Sequence, residues 1–150
     1  MAKIPKQIVF IYRSLPVLSV IHVIIPVIMW LNKSTLVASI KTSSPGLSKA
    51  QIASYTNIAL NAGIVFHLVF AFVFIIMAKP IFKGSKKART RLTIWLIINS
   101  LASLLSFYFS PMFRIVIPPL DVFQLLLVVI LWMPRPSQSF FKFQAGQARD

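Results

Sequence analysis

The sequence lacks cysteine and glutamate, and only two of its 150 residues are acidic, both of them Asp. Without cysteine there can be no disulfide, thiolate metal site or cysteine nucleophile. The two acids, Asp121 and Asp150, do not form a recognisable paired-carboxylate site. Four glycines in all leave no glycine-rich loop for a phosphate. The sequence therefore predicts a protein that is not an enzyme and that binds no cofactor.

The sequence is 57% hydrophobic and contains four long apolar stretches. Three of them carry no charged residue, and the fourth carries only Asp121. A helix of about 20 apolar residues crosses the roughly 30 Å hydrocarbon core of a bilayer. We predict an all-α polytopic membrane protein whose single domain, residues 1–150, is a compact bundle of four transmembrane helices. The expected spans are residues 14–32, 52–78, 92–111 and 119–133.

The distribution of the sixteen Lys and Arg residues predicts the orientation of the bundle. Positive residues near span ends collect on the cytoplasmic side. If both termini share a side, that side carries twelve of the sixteen, and the other side carries four. We therefore expect both termini in the cytoplasm and residues 33–49 outside as a loop.

Turn and capping signals mark several boundaries. Ser48 followed by Gln51 has the spacing of a capping box and predicts the start of the second span. Pro119 favours the first turn of the fourth helix, which would be short for a full crossing. The tail after Arg135 is rich in Phe and is expected to lie on the inner leaflet, with a weak helical pattern.

Polar residues inside spans are the first candidates for function. His22 and His67 lie at depths that differ by about 5 Å if both termini are cytoplasmic. Three interpretations remain open: an interhelical hydrogen bond, ligation of haem or a metal, and a proton relay.

Asp121 is the single acid before the C-terminus. As the third residue of a helix that starts at Pro119, its carboxylate would accept bonds from free backbone N–H groups, with Arg114 as an ion partner at the outer interface. The alternative is a proton-coupling carboxylate in a small transporter.

Two stripes of small and amide residues predict close packing of the second and third spans, since such residues let helices approach and hydrogen-bond. The six residues are Ser54, Asn57, Asn61, Asn99, Ser103 and Ser106.

The densest basic segment lies between these two spans. It is expected to contact anionic phospholipid headgroups or an acidic partner. Nucleic acid is not expected, because no aromatic residues alternate with the charges and no folded nucleic-acid-binding module accompanies them. Its six members are Lys79, Lys83, Lys86, Lys87, Arg89 and Arg91.

Short motifs in the final third of the chain are similar to those of other membrane proteins. Residues 118–127, Pro-Pro-Leu-Asp-Val-Phe-Gln-Leu-Leu-Leu, followed by Arg135-Pro136-Ser137 and Phe140-Phe141, resemble uncharacterised four-span membrane proteins of actinobacteria. The resemblance implies a bacterial cytoplasmic membrane and an accessory subunit of an envelope or respiratory assembly.

Three functions follow from these features as hypotheses. The first is an accessory or structural subunit of a larger membrane complex, in contact with membrane lipids. The second is a small transporter or channel lined by Asp121, Gln124 and the two histidines. The third is a haem-binding electron carrier that uses His22 and His67.

Overall fold

The computed structural model of the protein describes residues 4–109 and 114–147, and the side chains at 105–109 and 145–147 lie outside the description. All regular structure within these ranges is helical, with no strand. The helices are α1 Lys6–Leu31, α2 Lys33–Ser43, α3 Lys49–Phe82, α4 Lys86–Phe109, α5 Ile117–Trp132 and α6 Arg135–Gln147.

Two helices are long and apolar enough to cross a membrane by themselves. These are α1, with 26 residues, and α3, with 34 residues. At 1.5 Å per residue α3 is about 51 Å long, well beyond the roughly 30 Å hydrocarbon core. The pair α5 and α6, bent by 61° at its break, adds a third candidate when it is counted as one span. The described residues thus contain two to three candidate spans, and the expected third span, 92–111, runs past them.

The start of α3 confirms the capping prediction. The backbone N–H of Gln51 donates to Ser48 Oγ at 3.3 Å, and the backbone N–H of Ser48 donates to Gln51 Oε1 at 2.9 Å. Two N–H groups that the helix itself leaves unpaired are therefore satisfied at this end.

The main helix contact runs between α1 and α3, and α4 packs against α5. A buried hydrogen bond joins the first pair, in which Ser19 Oγ donates to the carbonyl oxygen of Ala71 at 2.9 Å.

We call the end of the bundle that carries α6 the α6 end, and the opposite end the α2 end. The apolar core fills the half near the α6 end; its fully buried large side chains are Ile8, Ile11, Leu15, Leu18, Phe70, Phe74, Ile81, Leu92, Leu96, Leu127, Leu131 and Phe141.

Two segments differ from the sequence-based expectation. Residues 33–43, expected as part of a loop, form α2, which packs on α3. The tail was expected on the leaflet surface, but it forms α6 and inserts Phe141, which is 0% exposed, into the core. Gly84 permits this approach: it has a φ of +74°, and a Cβ added there would lie 2.6 Å from Gln144 Cγ.

Candidate functional site

The two histidines meet in the middle of the bundle. His22 of α1 is 1% exposed, and its Nδ1 lies 2.9 Å from Nδ1 of the half-buried His67 of α3. The His22 ring also stacks on Phe70, with 5.6 Å between ring centroids. Of the three interpretations of this pair, the geometry shows the interhelical hydrogen bond.

The histidine pair continues into α4 and α5. Asn99 Nδ2 lies 3.2 Å from His22 Nε2 and donates to Gln124 Oε1 at 2.8 Å. Asn99 is 2% exposed and Gln124 is 0% exposed. Four helices therefore contribute one side chain each to a single hydrogen-bond chain, which we call the polar chain: Gln124, Asn99, His22 and His67.

The direction of the polar chain follows from the orientation of the Asn99 amide, whose Nδ2 faces both Gln124 Oε1 and His22 Nε2. An amide nitrogen can only donate, so His22 Nε2 must accept from Asn99. The single proton of a neutral His22 ring is then on Nδ1, which donates to His67 Nδ1. The proton of a neutral His67 is consequently on Nε2, so this end of the polar chain presents an N–H donor.

A second polar contact lies one turn closer to the α2 end. Ser103 Oγ donates to Asp121 Oδ1 at 2.5 Å, while the other carboxyl oxygen, Oδ2, is buried without a hydrogen-bond partner among the described residues. Ser103 Oγ is also 2.9 Å from the carbonyl oxygen of Ser100. The Asp121 carboxyl is thus held between α4 and α5 inside the bundle.

This position corrects the capping hypothesis for Asp121. Helix α5 begins at Ile117, two residues before Pro119. Prolines are tolerated in the first turn of a helix because N–H groups there have no acceptor within the helix, so a missing N–H breaks no hydrogen bond. Asp121 is therefore the fifth helical residue, and its carboxyl faces Ser103 instead of the free N–H groups. Arg114 lies in the exposed turn that precedes α5, and its pairing with Asp121 stays a prediction.

A cavity of about 330 Å³ adjoins these groups on the side of the α2 end. His22, His67, Asn99 and Ser103 form its polar wall, and the other lining side chains are apolar or glycine. Those others are Ile25, Met29, Leu36, Ala59, Ala62, Gly63, Phe66, Ala102, Val116, Ile117 and Leu120. The polar chain therefore ends at the wall of an otherwise apolar cavity.

The predicted packing stripe on α3 is wrong in its placement. Ser54, Asn57 and Asn61 are exposed, and Asn57 Oδ1 accepts from Lys33 Nζ at 3.2 Å. The face that packs inside the bundle contains Ile52 and Thr56, which lie four residues apart.

The companion stripe on α4 is buried in part, but its contacts differ from the prediction. Asn99 and Ser103 reach α1 and α5 and make no hydrogen bond to the exposed α3 stripe. The side chain of Ser106 lies outside the described residues.

The basic segment divides into exposed lysines and one packed arginine. Lys79, Lys83, Lys86, Lys87 and Arg91 are exposed, as a surface that contacts headgroups or a partner requires.

Arg89 differs from the rest of this segment. Its guanidinium carbon lies 3.9 Å from the ring centroid of Trp132 and 4.9 Å from that of Phe141. Partial burial lowers the pKa of this guanidinium from its usual value. Arg89 therefore holds α5 and α6 against α4 through cation–π contacts, and its contact with lipid or a partner stays a prediction.

The histidine geometry does not fit axial ligation of a haem. Two axial nitrogens of one iron would be about 4 Å apart, given metal–nitrogen bonds of about 2.0 Å each. The two Nδ1 atoms are 2.9 Å apart in direct contact, and His22 Nε2 is occupied by Asn99. Within the described ranges, no group of three or more His, Cys, Asp or Glu side chains could hold a metal ion.

The sequence placed the two histidines at similar depth and indicated that Gln124 could join the polar network with Asn99, which the hydrogen bond between them confirms, but it did not indicate the cavity or the contribution of α2 to its lining. A usable signal was present in α4 and α5. Asn99 and Ser103 are four residues apart, and Asp121 and Gln124 are three apart, so two antiparallel helices bring each amide opposite the other and the serine opposite the acid.

Comparison with known proteins gives no match to any family model, curated protein or solved structure.

Proposed function

We propose that this chain is a membrane-embedded binding subunit, whose bundle receives a small molecule in the cavity at the end of the polar chain. The observation that carries the proposal is the His22–His67 hydrogen bond, because it joins polar groups of α1 and α3 at the wall of a cavity that Asn99 and Ser103 of α4 also line. Buried polar side chains are costly in a membrane and are retained where they serve a site. A concave, mostly apolar cavity with a few convergent polar groups is the usual form of a small-molecule site.

The proposal includes four spans, with α4 and α5 as the third and fourth and both termini in the cytoplasm. The charge distribution supports this arrangement, with twelve positive residues on the side of the termini. The resemblance of residues 118–127 supports a bacterial cytoplasmic membrane. With this orientation the α6 end is cytoplasmic, and the cavity lies in the outer half of the bundle.

The apolar core between the polar chain and the α6 end favours binding over conduction. The half of the bundle toward the α6 end is filled by large apolar side chains, among them Phe70, Phe74 and Leu127. In that half, the buried side chains of Ser14 and Ser19 donate to backbone carbonyls and do not hydrogen-bond to the polar chain. A transporter would need this core to rearrange, whereas a binding subunit of a larger assembly would not.

Filling the cavity tests the proposal. Ala62→Phe from α3 and Ala102→Phe from α4 each place a ring at the cavity wall. Ala53→Phe is the matched control, since Ala53 is exposed on α3 and does not line the cavity. The protein is purified from its native membrane in mild detergent, and small molecules released from it are quantified per mole of protein by mass spectrometry.

We expect a small molecule that accompanies the wild type and Ala53→Phe and is lost from both cavity variants. Equal content in all four proteins, or none in any of them, would contradict the proposal.

A further inference from the structure

We infer that the ligand is an uncharged, largely apolar molecule that carries a hydrogen-bond acceptor of the ketone or quinone carbonyl class, bound to Nε2–H of His67. This inference rests on the proposed function and specifies the chemistry of the same cavity. Three observations lead to it: the direction of the polar chain, the charge of the cavity wall and the distribution of polarity along the cavity.

The direction of the polar chain selects an acceptor. Asn99 donates to His22, and His22 donates to His67, so His67 Nδ1 is filled and its Nε2–H is left over. Nε2 makes no hydrogen bond to a described residue, and His67 lines the cavity. A donor in apolar surroundings is costly unless a partner accepts from it. A carbonyl oxygen supplies that partner.

The cavity wall excludes a charged ligand. None of the fifteen lining residues is Asp, Glu, Lys or Arg, and Asp121 contacts Ser103 instead of lining the cavity. An ion held among Ile25, Met29, Phe66 and apolar neighbours would lack the paired counter-charge that burial of a charge requires. The ligand must therefore be neutral.

The cavity is polar at its inner end and apolar toward the α2 end, whereas a bilayer lipid has its polar headgroup at the membrane surface and its apolar tail inside. Its polar wall lies at mid-bundle, while Leu36, Met29 and Ile117 line it toward the α2 end. A phospholipid entering from the outer headgroups would present its tail to the histidines. A neutral ring with a carbonyl directed inward matches the wall instead.

The volume of the cavity indicates the size of the ligand's ring system. A cavity of about 150 Å³ holds one benzene ring. The observed cavity, about 330 Å³, is roughly twice that size and therefore suits a bicyclic ring system. A methylated naphthoquinone is a suitable probe, and because the chain has no cysteine it cannot form a thiol adduct with the protein.

The experiment compares three bicyclic probes on the full chain in nanodiscs by calorimetric titration. 2-Methyl-1,4-naphthoquinone offers carbonyl acceptors, 2-methylnaphthalene has nearly the same shape without them, and indole offers only a donor. We expect the quinone to bind on the order of tenfold more tightly than the other two, the difference that one hydrogen bond supplies.

His67→Phe removes the ring N–H and keeps an aromatic ring, so it should reduce quinone affinity on the order of tenfold and leave 2-methylnaphthalene affinity unchanged. Tyr55→Phe is the control, because it also deletes one polar atom from an aromatic ring of α3, at an exposed position outside the cavity. Quinone affinity should not respond to it.

The possible results separate the two proposals. Equal affinity for quinone and hydrocarbon, tighter binding of indole, or no effect of His67→Phe would overturn the acceptor inference while the cavity remained a binding site. Failure of all three probes to bind would overturn the inference together with the proposed function.

Discussion

The Nδ1 atoms of His22 and His67 lie 2.9 Å apart and join α1 to α3 at the centre of the bundle. His22 is the inner member: it is 1% exposed and contacts both His67 and Asn99. His67 is half-buried and ends the polar chain. The two residues should therefore contribute unequally to stability.

Replacing either histidine with alanine tests this difference. His22→Ala removes two interhelical hydrogen bonds, one to Asn99 and one to His67, and should lower the free energy of unfolding by about 1–3 kcal/mol. His67→Ala breaks one interhelical bond and should cost about 0.6 kcal/mol, the average for such bonds in membranes. Unfolding by SDS in mixed micelles, followed by circular dichroism, measures both. A larger loss for His67→Ala would argue against His22 as the inner member of the polar chain.

The contact between Ser103 and Asp121 predicts coupling between α4 and α5. Ser103→Ala removes the partner of Asp121 Oδ1 and should cost about 1–3 kcal/mol, because the carboxyl is then buried without a hydrogen bond. In an Asp121→Leu background the same change should cost far less. We expect a coupling energy of about 0.5–3 kcal/mol from the double-mutant cycle. Strictly additive losses would show that the two side chains do not interact.

Gly84 controls the docking of α6. Alanine at this position would adopt an unfavourable positive φ, and its Cβ would meet Gln144 and Phe140. Gly84→Ala should therefore loosen α6 and speed trypsin cleavage at Lys142 severalfold. Gly46→Ala is the control, since a Cβ there has no atom within 4 Å. Identical cleavage rates for the two variants would contradict the packing of α6 on the loop before α4.

Several features could be predicted from the sequence because they depend on local chemistry. The Ser48–Gln51 capping box and the presence of a short α5 that begins near Pro119 are of this kind. The similar depth of the two histidines also followed, from helical rise alone.

Other features depend on which face of each helix turns inward, and hydropathy does not determine that in a membrane helix that is apolar all round. Ser54 and Asn57 were therefore expected inside, whereas Ile52 and Thr56 occupy that face. The burial of Phe141 was missed for a related reason, because a basic, Phe-rich tail looks the same whether it covers a bundle or a leaflet.

The orientation of the bundle is open to a direct test. The chain has no cysteine, so a single introduced cysteine labels cleanly. Ser44→Cys in the turn after α2 should react with an impermeant maleimide in intact cells. Lys87→Cys at the start of α4 should react only after the membrane is opened. The reverse pattern would invert the topology proposed from the charges.

The proton positions on the two histidines are the most direct test of the proposed site, because the inferred ligand chemistry depends on them. With two histidines in the chain, ¹⁵N-histidine NMR in micelles gives one set of ring signals for each, and His67→Phe assigns them. We predict His22 as the Nδ1–H tautomer and His67 as the Nε2–H tautomer, with the Nε2 signal of His67 shifting when 2-methyl-1,4-naphthoquinone is added. The opposite tautomers, or an unchanged His67 signal with the quinone bound, would contradict a carbonyl ligand held by His67.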